Sequence, residues 1–404
     1  MDGSILSLYA KGPQDEYLID KTLKIQEEFE QYSDFSIDTF YFPINSQSYL
    51  GNTIKIPINI KNIPGDLLCN LFLKCTLPNL TIPDRYIEST GRALIKSITL
   101  QVNENTIEKL VDDWTIIYDD VFLDDNEKQI NSSLITTDTG GPLYIPLDFF
   151  FTRRFSKTRS SNKPFFPLCA VRNQIMYVTI EFASLIEISS ATTNYKEMVD
   201  IPTLVFETIT LTDYERIKYE TPFDLRITKY YKEPVSEFTG NFINTNLTVN
   251  FEVSAMFWFL RYKLYETNPN FFIRKYQYGY NLSMNINSQF IEPFEYTTIT
   301  INNEYVSDKF STELFYKYQQ PLDHGLSTPS KSIYMYCFAD KPTDYGSAEC
   351  FDFSIAQSKS SNLTIKLKQE LLLDVTQNYS VNVFHFGYTY IHFENGTCSP
   401  VYIF

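Results

Sequence analysis

Hydrophobic residues recur at every second position in both halves of this chain. Met176, Val178, Ile180 and Phe182 alternate with polar neighbours. So do Leu247, Val249, Phe251 and Val253, and again Leu363, Ile365 and Leu367. A period of two sends successive side chains to opposite faces of a pleated ribbon, the mark of a half-buried strand. The same grammar predicts strands at 37–42, 53–60, 67–77, 94–102, 106–111 and 144–151. Turn residues separate the runs: Pro64-Gly65, Pro78-Asn79, Asn103-Glu104-Asn105, Asn268-Pro269-Asn270, Asp323-His324-Gly325 and Asp344-Tyr345-Gly346. One stretch departs from it. Residues 114–134 are acidic, with Trp114, Ile117, Tyr118 and Phe122 near helical spacing, and predict a short helix or structured loop.

At the midpoint, residues 201–220 open as a strand, with Val205, Ile209 and Leu211 on one parity and Thr208 and Thr210 on the other. They then turn polar at Thr212-Asp213-Tyr214-Glu215-Arg216. A β-rich block of domain size lies on either side. The expectation is an all-β chain: two tandem antiparallel jelly-roll β-sandwiches with a short N-terminal arm. The divisions fall at 1–31 for the arm, 32–200 for the first roll and 201–404 for the second. About eight strands per half fit a jelly roll, whereas an immunoglobulin-like sandwich needs only ~100 residues. In the arm, Leu18, Ile19, Leu23 and Phe29 lie loosely on one face behind a capping Asp20. Residues 16–32 are either a short amphipathic helix or an extended arm packed on the domain.

The chain has 404 residues, enough for two cores that need no disulfides. No apolar run approaches the ~20 residues of a membrane-spanning helix, and MDGSILSLYAKG is not a secretory leader. The expected site of synthesis and folding is the cytosol. Aromatic residues make up 16%, which suits sheets and large cores. A formal charge of −15 repels nucleic acid; the basic run Arg153-Arg154-Phe155-Ser156-Lys157-Thr158-Arg159 reads as a solvated loop. The six cysteines (Cys69, Cys75, Cys169, Cys337, Cys350 and Cys398) form no C-x-x-C pair and read as buried thiols, with Cys69 and Cys75 facing one core. His324, His385 and His392 lack metal-site spacing. Asp112-Asp113, Asp119-Asp120 and Asp124-Asp125 pair carboxylates, but without a nearby histidine they read as a solvated face. No G-x-S-x-G, H-E-x-x-H or glycine-rich phosphate loop occurs. No catalytic, cofactor-binding or metal-ligating residue is nominated, and no cofactor. The N-x-[ST] sequons, among them Asn79, Asn131 and Asn246, are expected by chance in an Asn-rich chain and are not read as glycosylated.

Five stretches together resemble the double jelly-roll major capsid proteins of nucleocytoplasmic large DNA viruses. Gly3 through Leu18 (GSILSLYAKGPQDEYL) is similar to the family's opening. Tyr144–Phe151 (YIPLDFFF) resembles its Pro-Leu-x-Phe strand, and Phe166–Arg172 (FPLCAVR) with the Met176–Phe182 strand after it resembles the segment and strand that end roll one. Leu211-Thr212-Asp213-Tyr214-Glu215-Arg216 resembles its inter-domain motif. Ile333–Pro342 (IYMYCFADKP), continuing to Ser347 and Phe353-Ser354, resembles its most specific run. The chain departs from the family at Asp20-Lys21-Thr22, at Gln31-Tyr32-Ser33-Asp34 and at Gly396–Phe404, which marks a divergent member.

The resemblance implies a structural protein, not an enzyme: a homotrimer forming a pseudo-hexagonal capsomer that tiles an icosahedral virion. The implied partners are itself, neighbouring capsomers, minor or cement proteins and, through the arm, an inner membrane, with no direct contact to nucleic acid. Two alternatives stay open: a minor capsid, penton or scaffold protein of the same fold, and a glycan-binding β-sandwich.

Overall fold

The computed structural model describes residues 35–155, 163–191, 195–238, 242–263, 275, 276, 278, 294–310, 312–344, 350–356, 361–368 and 379–401. The expected arm and its helix, the Asn268-Pro269-Asn270 turn and the Gly3–Leu18 motif lie outside these residues.

Nine strands run through the first half: β1 (Phe35–Pro43), β2 (Thr53–Asn59), β3 (Leu67–Leu77), β4 (Ile95–Val102), β5 (Asn105–Val111), β6 (Gly141–Pro146), β7 (Phe166–Pro167), β8 (Ile175–Phe182) and β9 (Thr203–Leu211). Four α-helices interrupt them among the described residues: α1 (Thr90–Leu94), α2 (Asp112–Val121), α3 (Asp125–Ile135) and α4 (Leu185–Ile188). The second half carries β10 (Phe223–Lys232), β11 (Ser236–Phe238), β12 (Phe242–Asn246), β13 (Glu252–Tyr262), β14 (Phe294–Ile301), β15 (Glu304–Phe310) and β16 (Tyr334–Cys337). It ends with β17 (Phe351–Asp352), β18 (Asn362–Leu367), β19 (Tyr379–Glu394) and β20 (Thr397–Val401).

All the strand pairs are antiparallel, and they form four sheets. The first half gives the orders β1-β9-β3-β6 and β2-β8-β4-β5; the second gives β10-β19-β13-β16 and β12-β18-β14-β15. Taken strand for strand, the two halves have one topology, and in each the last long strand returns to lie beside the first. This is the jelly-roll winding expected from the sequence. The β4–β5 turn is tight because Asn103 takes a left-handed φ of 52°, a conformation asparagine tolerates. Alternation on β8 is clean: Met176, Val178, Ile180 and Phe182 all point into the core.

Three local expectations fail, each for a physical reason. The strand predicted at 144–151 ends at Pro146, and Phe149, Phe150 and Phe151 are all fully buried. The run folds into a turn instead, with the amides of Thr152 and Arg153 bonded to the Phe149 carbonyl, and all three rings enter the same core. Leu247, Val249 and Phe251 are buried alternately yet pair with no strand. Instead, the Glu233 carboxylate accepts from the amides of Thr248 (2.7 Å) and Val249 (3.2 Å). Cys69 and Cys75 do not share a core, because a β-bulge between Leu68 and Asn70 reverses the parity of β3. Cys75 stays with the core residues, while the Cys69 thiol donates to the Glu207 carbonyl on the other face. All six cysteines are free thiols.

The midpoint strand β9 hydrogen-bonds to β1 and β3, all in the first half, whereas the expected division at 201 groups it with the second. Its polar continuation is a short helix, Asp213–Arg216, capped by the Thr212 side chain, and Arg216 reaches back to both oxygens of Asp66 at 3.0 Å.

Candidate functional site

With no catalytic residue nominated, the most elaborated site in the chain is the joint between its two halves. It is built on α2, in the connection between β5 and β6. Trp114, Tyr118 and Phe122 follow one another at intervals of four residues and so share one helical face. That face lies on the β10-β19-β13-β16 sheet of the second half. Trp114 stacks on Tyr230 of β10 (4.6 Å between centroids, 9° between planes) and lies near Phe384 and Phe386 of β19. Phe122 meets Phe257 of β13 at 5.6 Å and Phe386 at 5.0 Å. Aromatic contacts of this kind contribute about 0.5–1.5 kcal/mol each beyond the area they bury.

This explains a sequence signal that a reading for alternation passes over. From Val253 to Leu260 (VSAMFWFL) no residue is exposed. Val253, Met256, Trp258 and Leu260 face the second half's own core, and Ala255, Phe257 and Phe259 face the joint. A strand covered on both sides reads as an unbroken apolar run.

The acidic pairs of α2, expected on a solvated face, are the polar half of the joint. Asp113 is buried. It pairs with Arg261, accepts the Tyr278 hydroxyl at 3.0 Å and lies 3.4 Å from Lys232. Burial alone would raise its pKa; Arg261 and then Lys232 outweigh that and hold the carboxyl well below the usual range. Asp112 binds Lys275 and the Tyr276 hydroxyl, each at 2.8 Å. Asp120 accepts the Ser330 amide (3.1 Å), the Ser330 hydroxyl (2.8 Å) and the Lys331 amide (3.0 Å). Asp119 turns the other way, into a bidentate pair with Arg92. Of the third pair, Asp124 caps α3 by accepting the Glu127 amide, and Asp125 is the one fully exposed member.

The basic run is likewise divided. Arg153, expected on a solvated loop, is buried between Glu108 and the Thr228 carbonyl of β10, while Arg154 is exposed; residues 156–159 lie outside the described ones. Desolvation raises the Glu108 pKa, and Arg153 offsets part of that. A second contact lies at the far end of the sandwiches, where the Asn105 and Gln174 side chains donate to the carbonyls of Cys398 and Gly396, both at 2.8 Å. Among the histidines, His385 is buried against Glu233 (3.0 Å), His392 is exposed beside Asp224 and His324 faces the Asp340 carbonyl. Among the described residues, no group of three His, Cys, Asp or Glu side chains is placed to hold a metal ion.

Two sandwiches of one winding, locked by a helix of the first against a sheet of the second, define a double jelly-roll protein. The fold is shared with solved structures. The PBCV-1 virus capsid matches with a TM-score of 0.74 at 16% identity, covering 93% of this chain and 98% of that one. The Faustovirus major capsid protein matches with a TM-score of 0.71 at 10% identity, covering 91% and 92%. The family model described as "Major capsid protein N-terminus" matches residues 25–211, and "Large eukaryotic DNA virus major capsid protein" matches residues 224–399. The chain belongs to the major capsid protein family of large eukaryotic DNA viruses, a family of structural rather than catalytic proteins located in the virion capsid. It is 22% identical over 302 residues to capsid protein 1 of Acanthamoeba polyphaga mimivirus (64% of this chain, 48% of that one). It is 23% identical over 205 residues to the major capsid protein of Pyramimonas orientalis virus (47% and 49%). The chain spans about half the length, or less, of the curated relatives it matches.

Proposed function

We propose that this chain is a structural subunit of an icosahedral virion shell, acting by self-association into pseudo-hexagonal capsomers that are homotrimers. The observation that carries the reading is the joint: a helix face of aromatics and buried carboxylates holds two like-wound sandwiches in one fixed relation. Three rigid pairs around a three-fold axis place six similar wedges in a ring, and closed symmetry satisfies each head-to-tail contact. The work is assembly, with no catalytic, cofactor or metal site assigned. The division between the rolls is placed after Leu211, supported by the pairing of β9 with β1 and β3. Residues 1–31 are assigned an inner-face role against minor proteins or membrane. Protease removal of that arm with unimpaired shell assembly would count against this assignment.

Light scattering of the purified full chain tests the reading: a mass near three times 47.2 kDa is expected, and a strict monomer overturns it. High copy number in purified particles is the expected result for a major rather than a minor shell component.

A further inference from the structure

The internal joint foretells the external one. In the first roll, the connection after β5 forms α2, and its Trp114 and Phe122 lie on the β10-β19-β13-β16 sheet, with Tyr118 between them packed on Phe122 and Phe155. In the second roll, the equivalent connection after β15 is also helical, a π-helical segment (Thr312–Gln319) running into an α-turn (Gln320–Asp323). β5 ends at Val111 and β15 at Phe310, so the two helices start at matching points of the winding. Leu314, Tyr318 and Leu322 repeat the four-residue spacing of Trp114, Tyr118 and Phe122. They are not buried: Leu314 is 67% exposed and Leu322 75%.

The sheet equivalent to the one α2 covers is β1-β9-β3-β6, and its outward face carries an exposed apolar row along β1, with Asn70, Lys74 and Glu207 further in. Ile37 and Tyr41 on β1 are 65% and 60% exposed, and Phe35 continues the row. Tyr41 shares its face with Val205 and Phe72 through the β1–β9–β3 register, and Phe72 stacks on Tyr144 at 4.8 Å. Beside these rings, a cavity of about 510 Å³ opens between the sheet and α3. A long edge strand bearing Phe, Ile and Tyr outward is an association surface unless something covers it.

We infer that the Leu314/Tyr318/Leu322 stripe of one copy docks on the outward β1-β9-β3-β6 face of the next, repeating between molecules the contact α2 makes within one. The occupant is a second copy of this chain because the chain already holds both halves of the contact, one in each roll. The two surfaces differ, so the contact is head-to-tail; repeated, it closes a ring in which internal and external joints alternate. The inference rests on the self-association proposed above and adds which surfaces make it.

The test uses two full-length double variants, Leu314→Glu/Leu322→Glu and Ile37→Glu/Tyr41→Glu, with mass read by light scattering and folding checked by circular dichroism. Each alone should lose the wild-type oligomer and run as a monomer. Mixed at equal concentration and at the highest soluble level, they should form a one-to-one dimer, since each supplies the surface the other lacks. Ile82→Glu, more exposed still but on neither surface, should keep the wild-type mass. Either double variant retaining the wild-type oligomer overturns the inference, as does a mixture that stays monomeric. A monomeric wild type overturns the self-association reading itself, a different and separately visible failure.

Discussion

Single residues in the joint carry charge where the surroundings are apolar. Removing Asp113 deletes the carboxylate against which Arg261, Lys232 and Tyr278 are set. Asp113→Ala is expected to cost about 3–5 kcal/mol, the scale for breaking a buried ion pair, read as a lowered urea midpoint. Asp148 gives a pH dependence of known sign. Burial raises its pKa, Arg92 (2.6 Å away) pulls it down and Asp119 pushes it up again, leaving it at about 6 against an ordinary 3.8. Between those values the folded chain holds a proton that the unfolded chain has released. Stability contributed by this group is therefore full below the lower value, falls as pH rises through the interval, and levels off above it. Urea midpoints measured from pH 4 to pH 7 should lose this component of slope in Asp148→Asn. The burial of Asp113 was not legible beforehand: a doubled Asp looks the same in sequence whether solvated or buried, and its partners Lys232, Arg261 and Tyr278 are distant in sequence.

At the scale of elements, many strand positions were readable, because a half-buried strand writes its period into the sequence. The strand at 67–77 falls where β3 lies, and the alternating run from Met176 to Phe182 falls on β8. What escaped was structure whose hydrogen bonding the period does not report. The Phe149-Phe150-Phe151 turn is buried all round, and residues 247–251 alternate in burial but bond to a side chain instead of a ladder. The bulge in β3, which separates Cys69 from Cys75, has no signature in residue type. The joint was half legible: the helical spacing of Trp114, Tyr118 and Phe122 was visible, but not the sheet it would meet. Trp114→Ala should cost about 3–5 kcal/mol as a large cavity and split thermal unfolding into two transitions, one per roll. β19 is as constrained as α2. A Cβ on Gly387 would stand 1.9 Å from the Glu252 carbonyl oxygen, opposite the β13 bulge. Gly387→Ala must therefore move backbone, and an expected loss of about 1–3 kcal/mol is checked by a thermal shift.

For the whole molecule, one apolar cluster runs from the core of the first roll across the joint to the near face of the β10-β19-β13-β16 sheet, while a second fills the interior of the other roll. Two sandwiches are expected from the sequence and two are found, but they share an apolar cluster and are not independent bodies. Wild-type chain should unfold in a single calorimetric transition whose enthalpy matches the van't Hoff value. Two well-separated peaks would show that the joint is weaker than its aromatic and ionic contacts indicate.

The helix that fastens one sandwich to the other also sets a timetable. The short connection from Leu211 to Phe223 keeps the two partners at an effective concentration of order millimolar, so that contact forms in every molecule at any dilution. Contacts with neighbours must wait for collision. Subunits would thus finish their own folding while scarce and gather only once synthesis has made them plentiful, which keeps half-made protein out of a growing particle.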